Sequence, residues 1–268
     1  MVRIALTLRI QLRLATGRGI EIPVEGCTMN LAGKTALVTG GTDGIGAELI
    51  RQLKAKGATV ITSGRNPERI AATRTAGFEV IAADLSTLAG VEALIAGLNG
   101  RPIDILLNNA GAGADHDFRE GPPDLAVADA AIFLNLNAPI HLIARLMPML
   151  RSRPEAQIVN VTSGLAIAPR AGGPVYCATK AGLRSYTQAL RAQLAGTAIS
   201  VIEALPPMVD TRMTAGRGSK KMPAAECARQ IVAAMESGAD EANVGMVKVL
   251  QLANSLSPAL ARRIMLRF

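Results

Sequence analysis

A short apolar run, Thr35-Ala-Leu-Val38, leads directly into Thr39-Gly-Gly-Thr-Asp-Gly-Ile-Gly46, and apolar residues then recur at Ala47, Ile50 and Leu53. No other stretch limits the fold as tightly. The run reads as a buried strand and the later spacing as a helix. Gly40, Gly44 and Gly46 allow the connecting backbone to turn sharply and come close to a ligand. A glycine turn that leaves a strand and opens a helix is built to hold a pyrophosphate: its free N–H groups and the positive end of the helix both face the charge. An ordinary glycine-rich turn would have the same composition. Its position between strand and helix is what favours a nucleotide site.

The same alternation continues along the chain. A second strand, Thr59 to Ser63, ends at Gly64-Arg65-Asn66. An acidic residue there would bind an adenosine 2′-hydroxyl, whereas an arginine accommodates a 2′-phosphate. Ser63 and Arg65 stand there and no acid does, so NADP(H) is favoured over NAD(H), with Arg65 as a solvated surface charge the competing reading. A helix from Pro67 follows, then a strand from Phe78 to Ala82 with Asp84 just beyond it, a helix near Leu88 to Leu98, and a strand from Ile103 to Leu107 running into Asn108-Asn-Ala-Gly111. Asp84 is placed to meet an adenine and Asn108 to tie neighbouring strands together, with a polar residue merely satisfied at a strand end the competing reading for each. A long helix is expected around Ile132 to Met149, kinked at Pro139, with Asn135 and Asn137 as polar residues in apolar surroundings.

Further strands are expected at Gln157 to Thr162, with Ser163 at the end, at Ala198 to Leu205, and at Asn243 to Val247. Between the last two lie Pro206-Pro-Met-Val-Asp-Thr-Arg-Met213, a Thr214–Met222 stretch with the composition of a mobile substrate lid, and a helix from Pro223 to Met235. The tail beyond Val249 reads as two short helices around Pro258. Strands alternating with helices predict an α/β fold: one doubly wound, Rossmann-type domain with a parallel seven-stranded sheet flanked by helices, whose ligands sit at the carboxyl ends of the strands.

Tyr176 and Lys180 begin a segment whose apolar positions (Leu183, Tyr186, Leu190, Leu194) mark a helix. Four residues apart, they share a face. A neighbouring ammonium is expected to lower the phenol below its ordinary value of ~10, suiting it to proton transfer. A pair of this kind standing alone would equally be a surface contact.

The chain has 268 residues, of which 2% are aromatic, and no Trp, so it has little with which to stack on bases. Its net charge of +8 is spread out, with modest clusters at Arg212–Lys221 and Arg262–Arg267, which argues against nucleic acid as a partner. Cys27, Cys177 and Cys227 form no CxxC pair, and His116 and His141 are the only histidines. No metal site is expected, and a reducing cytoplasm fits. No unbroken apolar run approaches a membrane span, and membrane association is not expected. Residues 1–28 are basic, lack acids before Glu21 and look foreign to the 29–268 domain. They are expected to be an extension upstream of a true start at Met29, an added edge strand over Val2 to Leu14 being the alternative.

Taken together, Thr39-Gly-x-x-x-Gly-Ile-Gly46, Asn108-Asn-Ala-Gly111, Ser163 and the Tyr176-x-x-x-Lys180 pair occur in an order that resembles the short-chain dehydrogenase/reductase family from about Leu31 to Val247. Pro-Pro-Met-Val-Asp-Thr and the tail are similar to its DltE-like branch. The resemblance implies an oxidoreductase moving a hydride between NAD(P) and a small-molecule carbonyl or alcohol. It implies a tetrad of Asn135, Ser163, Tyr176 and Lys180, and an assembly that is a homodimer or homotetramer. In that tetrad Ser163 binds the substrate oxygen, Tyr176 exchanges a proton with it, Lys180 supports the phenolate and the ribose, and Asn135 positions a water. Cofactor contacts are implied at Gly40, Thr42, Asp43, Gly44, Ile45, Gly46, Arg65, Asp84, Leu85, Asn109, Ala110, Gly111, Tyr176, Lys180, Pro206, Val209 and Thr211. The chain departs from the family's usual Pro-Gly at Pro206-Pro207. Sugar-nucleotide epimerases share the Tyr–Lys pair but have a larger C-terminal domain and tighter glycine spacing. A non-catalytic regulator or envelope-associated scaffold of the same fold would be expected to have lost a tetrad member, and none is missing.

Overall fold

Strand β1 (Thr35–Val38) sits between β2 (Thr59–Gly64) and β4 (Ile105–Asn108), parallel to both, so its Ala36, Leu37 and Val38 are wholly buried. With β3 (Glu79–Ala82), β5 (Ala156–Val161), β6 (Ile199–Leu205) and β7 (Glu241–Asn243), the sheet runs 3-2-1-4-5-6-7, every pairing parallel. The order reverses between β1 and β4, where a doubly wound sheet opens its ligand crevice. The computed structural model describes residues 28–218 and 220–267. The expectations for the N-terminal extension and its alternative edge strand therefore lie outside the described residues, as does Ser219 of the expected lid.

Two apolar clusters cover the sheet. On one face α1 (Gly44–Ala55) and α7 (Ala224–Ser237) bury Leu49, Ile50, Leu53, Ile231 and Met235. On the other, α3 (Leu88–Gly97), α5 (Ala138–Arg151) and α6 (Pro174–Gln193) bury Val91, Leu94, Leu142, Leu146 and Leu190. Helix α2 (Pro67–Thr75) starts with Pro67 at a position where its missing N–H costs nothing, and Asn66 caps it by accepting from the Arg69 N–H at 2.9 Å.

The long helix differs from the sequence expectation. It begins at Leu125, as α4 (Leu125–Ile132), because Asp124 caps it by accepting from the N–H groups of Ala126 and Val127. In place of a simple kink at Pro139, the chain widens into a π turn over Phe133–Asn137, closed by the Ala138 N–H donating to the Phe133 carbonyl, before α5 continues. Pro139 has no N–H to contribute, so a regular ladder is interrupted at this point in any case. The whole Leu125–Arg151 helix is long and apolar enough in composition to cross a membrane, which no unbroken apolar run had indicated. Its apolar side, from Ala128 through Leu142 to Leu150, is part of the core.

The last strand is also shifted. It occupies Glu241–Asn243, not Asn243 to Val247, because Gly245 (φ +54°) turns the chain out of the sheet and Val247 opens α8 (Val247–Leu256). Helix α9 (Pro258–Met265) follows, as expected. The lid segment is pinned at its ends: Val209–Asp210 pairs in parallel with Met222–Pro223, and Arg212–Thr214 forms a single 3-10 turn.

Candidate active site

The carboxyl ends of the strands surround a cavity of about 800 Å³ that runs from the glycine turn to Tyr176. At its first end the turn after β1 is locked to the turn after β4. Thr39 Oγ1 accepts from the N–H groups of Asn109 and Ala110, both at 3.0 Å, and Asn109 Nδ2 donates back to the Thr39 carbonyl at 3.0 Å. Gly44 has φ +52°, a conformation that L side chains rarely adopt, and a Cβ on Gly46 would collide with the Gly40 carbonyl. A side chain at either position would therefore strain the turn or push apart the segments that line the cavity. Asp43 caps α1 by accepting from the Gly44 N–H at 2.8 Å, and its carboxylate is paired with Arg69 at 2.8 Å and Arg212 at 3.3 Å.

Beyond β2, Arg65 lines the cavity and pairs with Asp84 at 3.3 Å. Burial pushes the Asp84 carboxyl up, but hydrogen bonds from Ser86 and the charge of Arg65 outweigh it and hold the group below its ordinary range. Ser63 accepts from the Gly40 N–H at 3.4 Å. Arg69, in the first turn of α2, also faces the cavity. Sequence reasoning stopped at Arg65 and missed it, although an arginine two residues after the helix-opening Pro67 was the available signal.

At the far end, β5 delivers Ser163, whose hydroxyl accepts from the Leu165 N–H at 3.1 Å and is hydrogen-bonded to the phenol of Tyr176. Lys180, one turn further along α6, is 4% exposed and donates to the Val161 carbonyl at 2.8 Å. Its Nζ lies 5.7 Å from the centre of the Tyr176 ring. Asn135 sits fully buried in the π turn. Its amide accepts from the Ala112 N–H at 2.9 Å and donates to the Ala112 carbonyl at 2.8 Å and to Thr179 Oγ1 at 3.2 Å. Behind these residues Asn108 donates to Asn160 at 2.9 Å, tying β4 to β5 as expected, and Asn160 donates to Thr187 on α6 at 2.9 Å.

The expected lowering of the Tyr176 phenol is not found. Burial pushes it up to about 12, and this outweighs the opposing hydrogen bond from Ser163 and the charges of Arg217 and Arg170. The same burial pushes the Lys180 amine down to about 8. Taking two polar groups out of water favours the neutral form of each. The phenol of this structure therefore keeps its proton at neutral pH.

Every residue expected to touch a cofactor lines the cavity, with Ser163 beside them. Asn135 stands behind the wall. Of the apolar residues near this end, Met213 lines the cavity, whereas Leu165, Ile167 and Met208 do not. Leu165 belongs to the turn after Ser163, and Met208 is half exposed outside it.

The family model for short chain dehydrogenase matches residues 34–222. The chain belongs to the short-chain dehydrogenase family. It is a dehydrogenase/reductase of the DltE-like branch. An uncharacterized oxidoreductase, DltE of Bacillus subtilis, is 44% identical over 187 residues, covering 68% of this chain and 74% of that protein. An NADP-dependent 3-hydroxy acid dehydrogenase, YdfG of Salmonella typhi, is 34% identical over 180 residues, 65% of this chain and 71% of its own. Among solved structures, a short chain dehydrogenase from Burkholderia cenocepacia in complex with NADP superposes with a TM-score of 0.78 at 27% identity, covering 89% of this chain and 99% of that one. As in other chains of this architecture, the ligand crevice of this short-chain dehydrogenase opens where the strand order reverses.

Proposed function

We propose that this short-chain dehydrogenase is an NADP(H)-dependent enzyme interconverting a small-molecule carbonyl and its alcohol, with Tyr176 as the general acid/base. The observation that carries the reading is the meeting of the Ser163 and Tyr176 hydroxyls at one end of a cavity whose other end is a glycine cradle flanked by two arginines. A bound nicotinamide cofactor supplies or accepts the hydride. The chain's residues supply position and protons. The Ser163 hydroxyl donates to the substrate oxygen and holds it against the phenol. Tyr176 gives that oxygen a proton in reduction and removes one in oxidation. Lys180 stabilises the phenolate left behind and binds ribose hydroxyls, and Asn135 positions a water that links the lysine to solvent.

Arg65 and Arg69 favour a 2′-phosphate over a bare ribose, and a phosphate would compete with Asp84 for Arg65. The Burkholderia cenocepacia structure with NADP and the NADP dependence of the Salmonella typhi relative support the same choice. The protein is further proposed to be a cytoplasmic homodimer or homotetramer, a state that light scattering measures directly.

The test is a nicotinamide-fluorescence titration of the purified protein with NADPH and with NADH, for the wild type, Arg65→Ala and Tyr176→Phe. NADPH should bind more tightly than NADH, and Arg65→Ala should narrow that gap. Tyr176→Phe should bind NADPH nearly as the wild type does while losing at least about 10²-fold in turnover. Equal binding of both cofactors by the wild type would refute the NADP preference. Full activity in Tyr176→Phe would refute the role of the phenol.

A further inference from the structure

Three segments far apart in sequence bring charge together beside Tyr176. Asp115, from the loop after β4, pairs through Oδ1 with Arg170, which precedes α6, at 2.5 Å. Its Oδ2 pairs with Arg217 of the lid segment, also at 2.5 Å. The cluster borders the cavity: a Cβ on cavity-lining Gly113 would lie 3.6 Å from Nη2 of Arg217. Gly173, the residue before α6, is packed against both Arg170 and Asp115, its Cβ position lying 3.0 Å and 3.1 Å from them. Two guanidiniums thus share one carboxylate, leaving a net charge of +1. The neighbouring Asp117 does not offset it, because that carboxylate is paired with Arg119.

We propose that the substrate of this enzyme carries an anionic group, a carboxylate or a phosphate, which Arg170 and Arg217 hold at the mouth of the cavity while its carbonyl faces Tyr176. The inference rests on the reductase reading above and specifies its substrate class. Arginine presents several N–H donors in a planar fork suited to the oxygens of either anion. One carboxylate leaves donors of both guanidiniums free to take more oxygens. Asp115 keeps the two forks aimed at a common point, so little side-chain ordering remains when the anion arrives. The side chains are 18% (Arg170), 30% (Asp115) and 37% (Arg217) exposed, dry enough for the interaction to matter and open enough for a ligand to reach it. The positive charge of both arginines is also felt at the Tyr176 hydroxyl, which places them within electrostatic range of the reacting atoms. Arg217 belongs to the lid segment, and its pair with Asp115 already holds that part of the segment beside the cavity.

The experiment uses matched pairs that differ in charge but keep the carbonyl: acetoacetate with its methyl ester, and dihydroxyacetone phosphate with dihydroxyacetone. Each is reduced by the full-length protein with NADPH. The expected result is a kcat/KM for one anionic member at least about tenfold above that of its neutral partner, with the preferred pair identifying carboxylate or phosphate. In Arg217→Gln and Arg170→Gln the anionic-to-neutral ratio should fall about tenfold or more, mainly through KM. Arg119→Gln, in the Asp115 loop but outside the cluster, should keep the wild-type ratio. NADPH titration of each variant reports an intact cofactor site, so a misfolded variant is recognised and the other arginine variant decides. Reduction of the neutral members with no charge preference, or a ratio unchanged in both arginine variants, overturns this inference and leaves the reductase reading standing. NADPH binding without reduction of any of the four compounds, or of a wider carbonyl panel, refutes both.

Discussion

Lys180→Met should make the protein more stable while making it inactive. Lys180 is 4% exposed, and its one hydrogen bond among the described residues runs to the Val161 carbonyl. Burial lowers its amine from the ordinary 10.5 to about 8. At ~1.36 kcal/mol per unit, holding the charged form in the folded state at pH 7 costs about 3 kcal/mol. Methionine fills a similar volume without the charge but forfeits the bond to Val161, worth about 1 kcal/mol. The net gain is about 2 kcal/mol, or ~4–8 °C in Tm for a domain of this size. The sign with pH follows from the lowered folded value. Between about 8 and 10.5 the unfolded chain binds more protons than the folded one, so wild-type stability rises with pH across that window. The advantage of the variant should therefore shrink to near zero by pH ~9.5. Thermal unfolding without cofactor at both pH values checks this. A Tm for Lys180→Met below that of the wild type at pH 7, or a gap that does not change with pH, would refute the reasoning.

Gly46→Ala should abolish NADPH binding in fluorescence titration, because its Cβ would meet the Gly40 carbonyl within the cradle. Arg184→Met should lower Tm by roughly 6–20 °C at pH 8, since it strips the fully buried Glu203 carboxylate of its 2.7 Å partner, a loss of about 3–5 kcal/mol. Burial raises the Glu203 carboxyl even beside Arg184, so the variant can protonate it, and the deficit should narrow at pH 5. With Tyr176 pushed up to about 12, its deprotonated fraction grows with pH throughout the neutral range. Alcohol oxidation should accordingly accelerate as pH rises from 7 to 9, and a rate falling over that range would contradict the phenolate as base.

What was legible in the sequence was whatever local chemistry dictates. The strands flanking the cavity fell within a residue or two of expectation, because each is a short run of strand-forming residues that ends where polar residues, Gly or Pro follow within a residue or two. The glycine turn, Ser163 and the Tyr176–Lys180 pair were readable because each is set by neighbours a few residues away. The π turn was not, since apolar spacing looks the same whether a carbonyl is reached from four residues on or five. The last strand was misplaced because Val244 and Val247 look like strand residues, while Gly245 decides otherwise. Burial around Tyr176 and the convergence of Asp115, Arg170 and Arg217 depend on segments that meet only in the folded chain.

The π turn at Phe133–Asn137 means that the Leu125–Arg151 helix carries one residue more than a regular helix of the same rise would need. That surplus residue weakens the helix locally, yet it sets Asn135 where both of its bonds to Ala112 form. A one-residue deletion in this segment would allow the ordinary ladder to close and the sheet to assemble, while turning the asparagine off its mark by about 100°. Chain length between Asp124 and Arg151 therefore constrains the geometry around Asn135 as firmly as the identity of the side chains does.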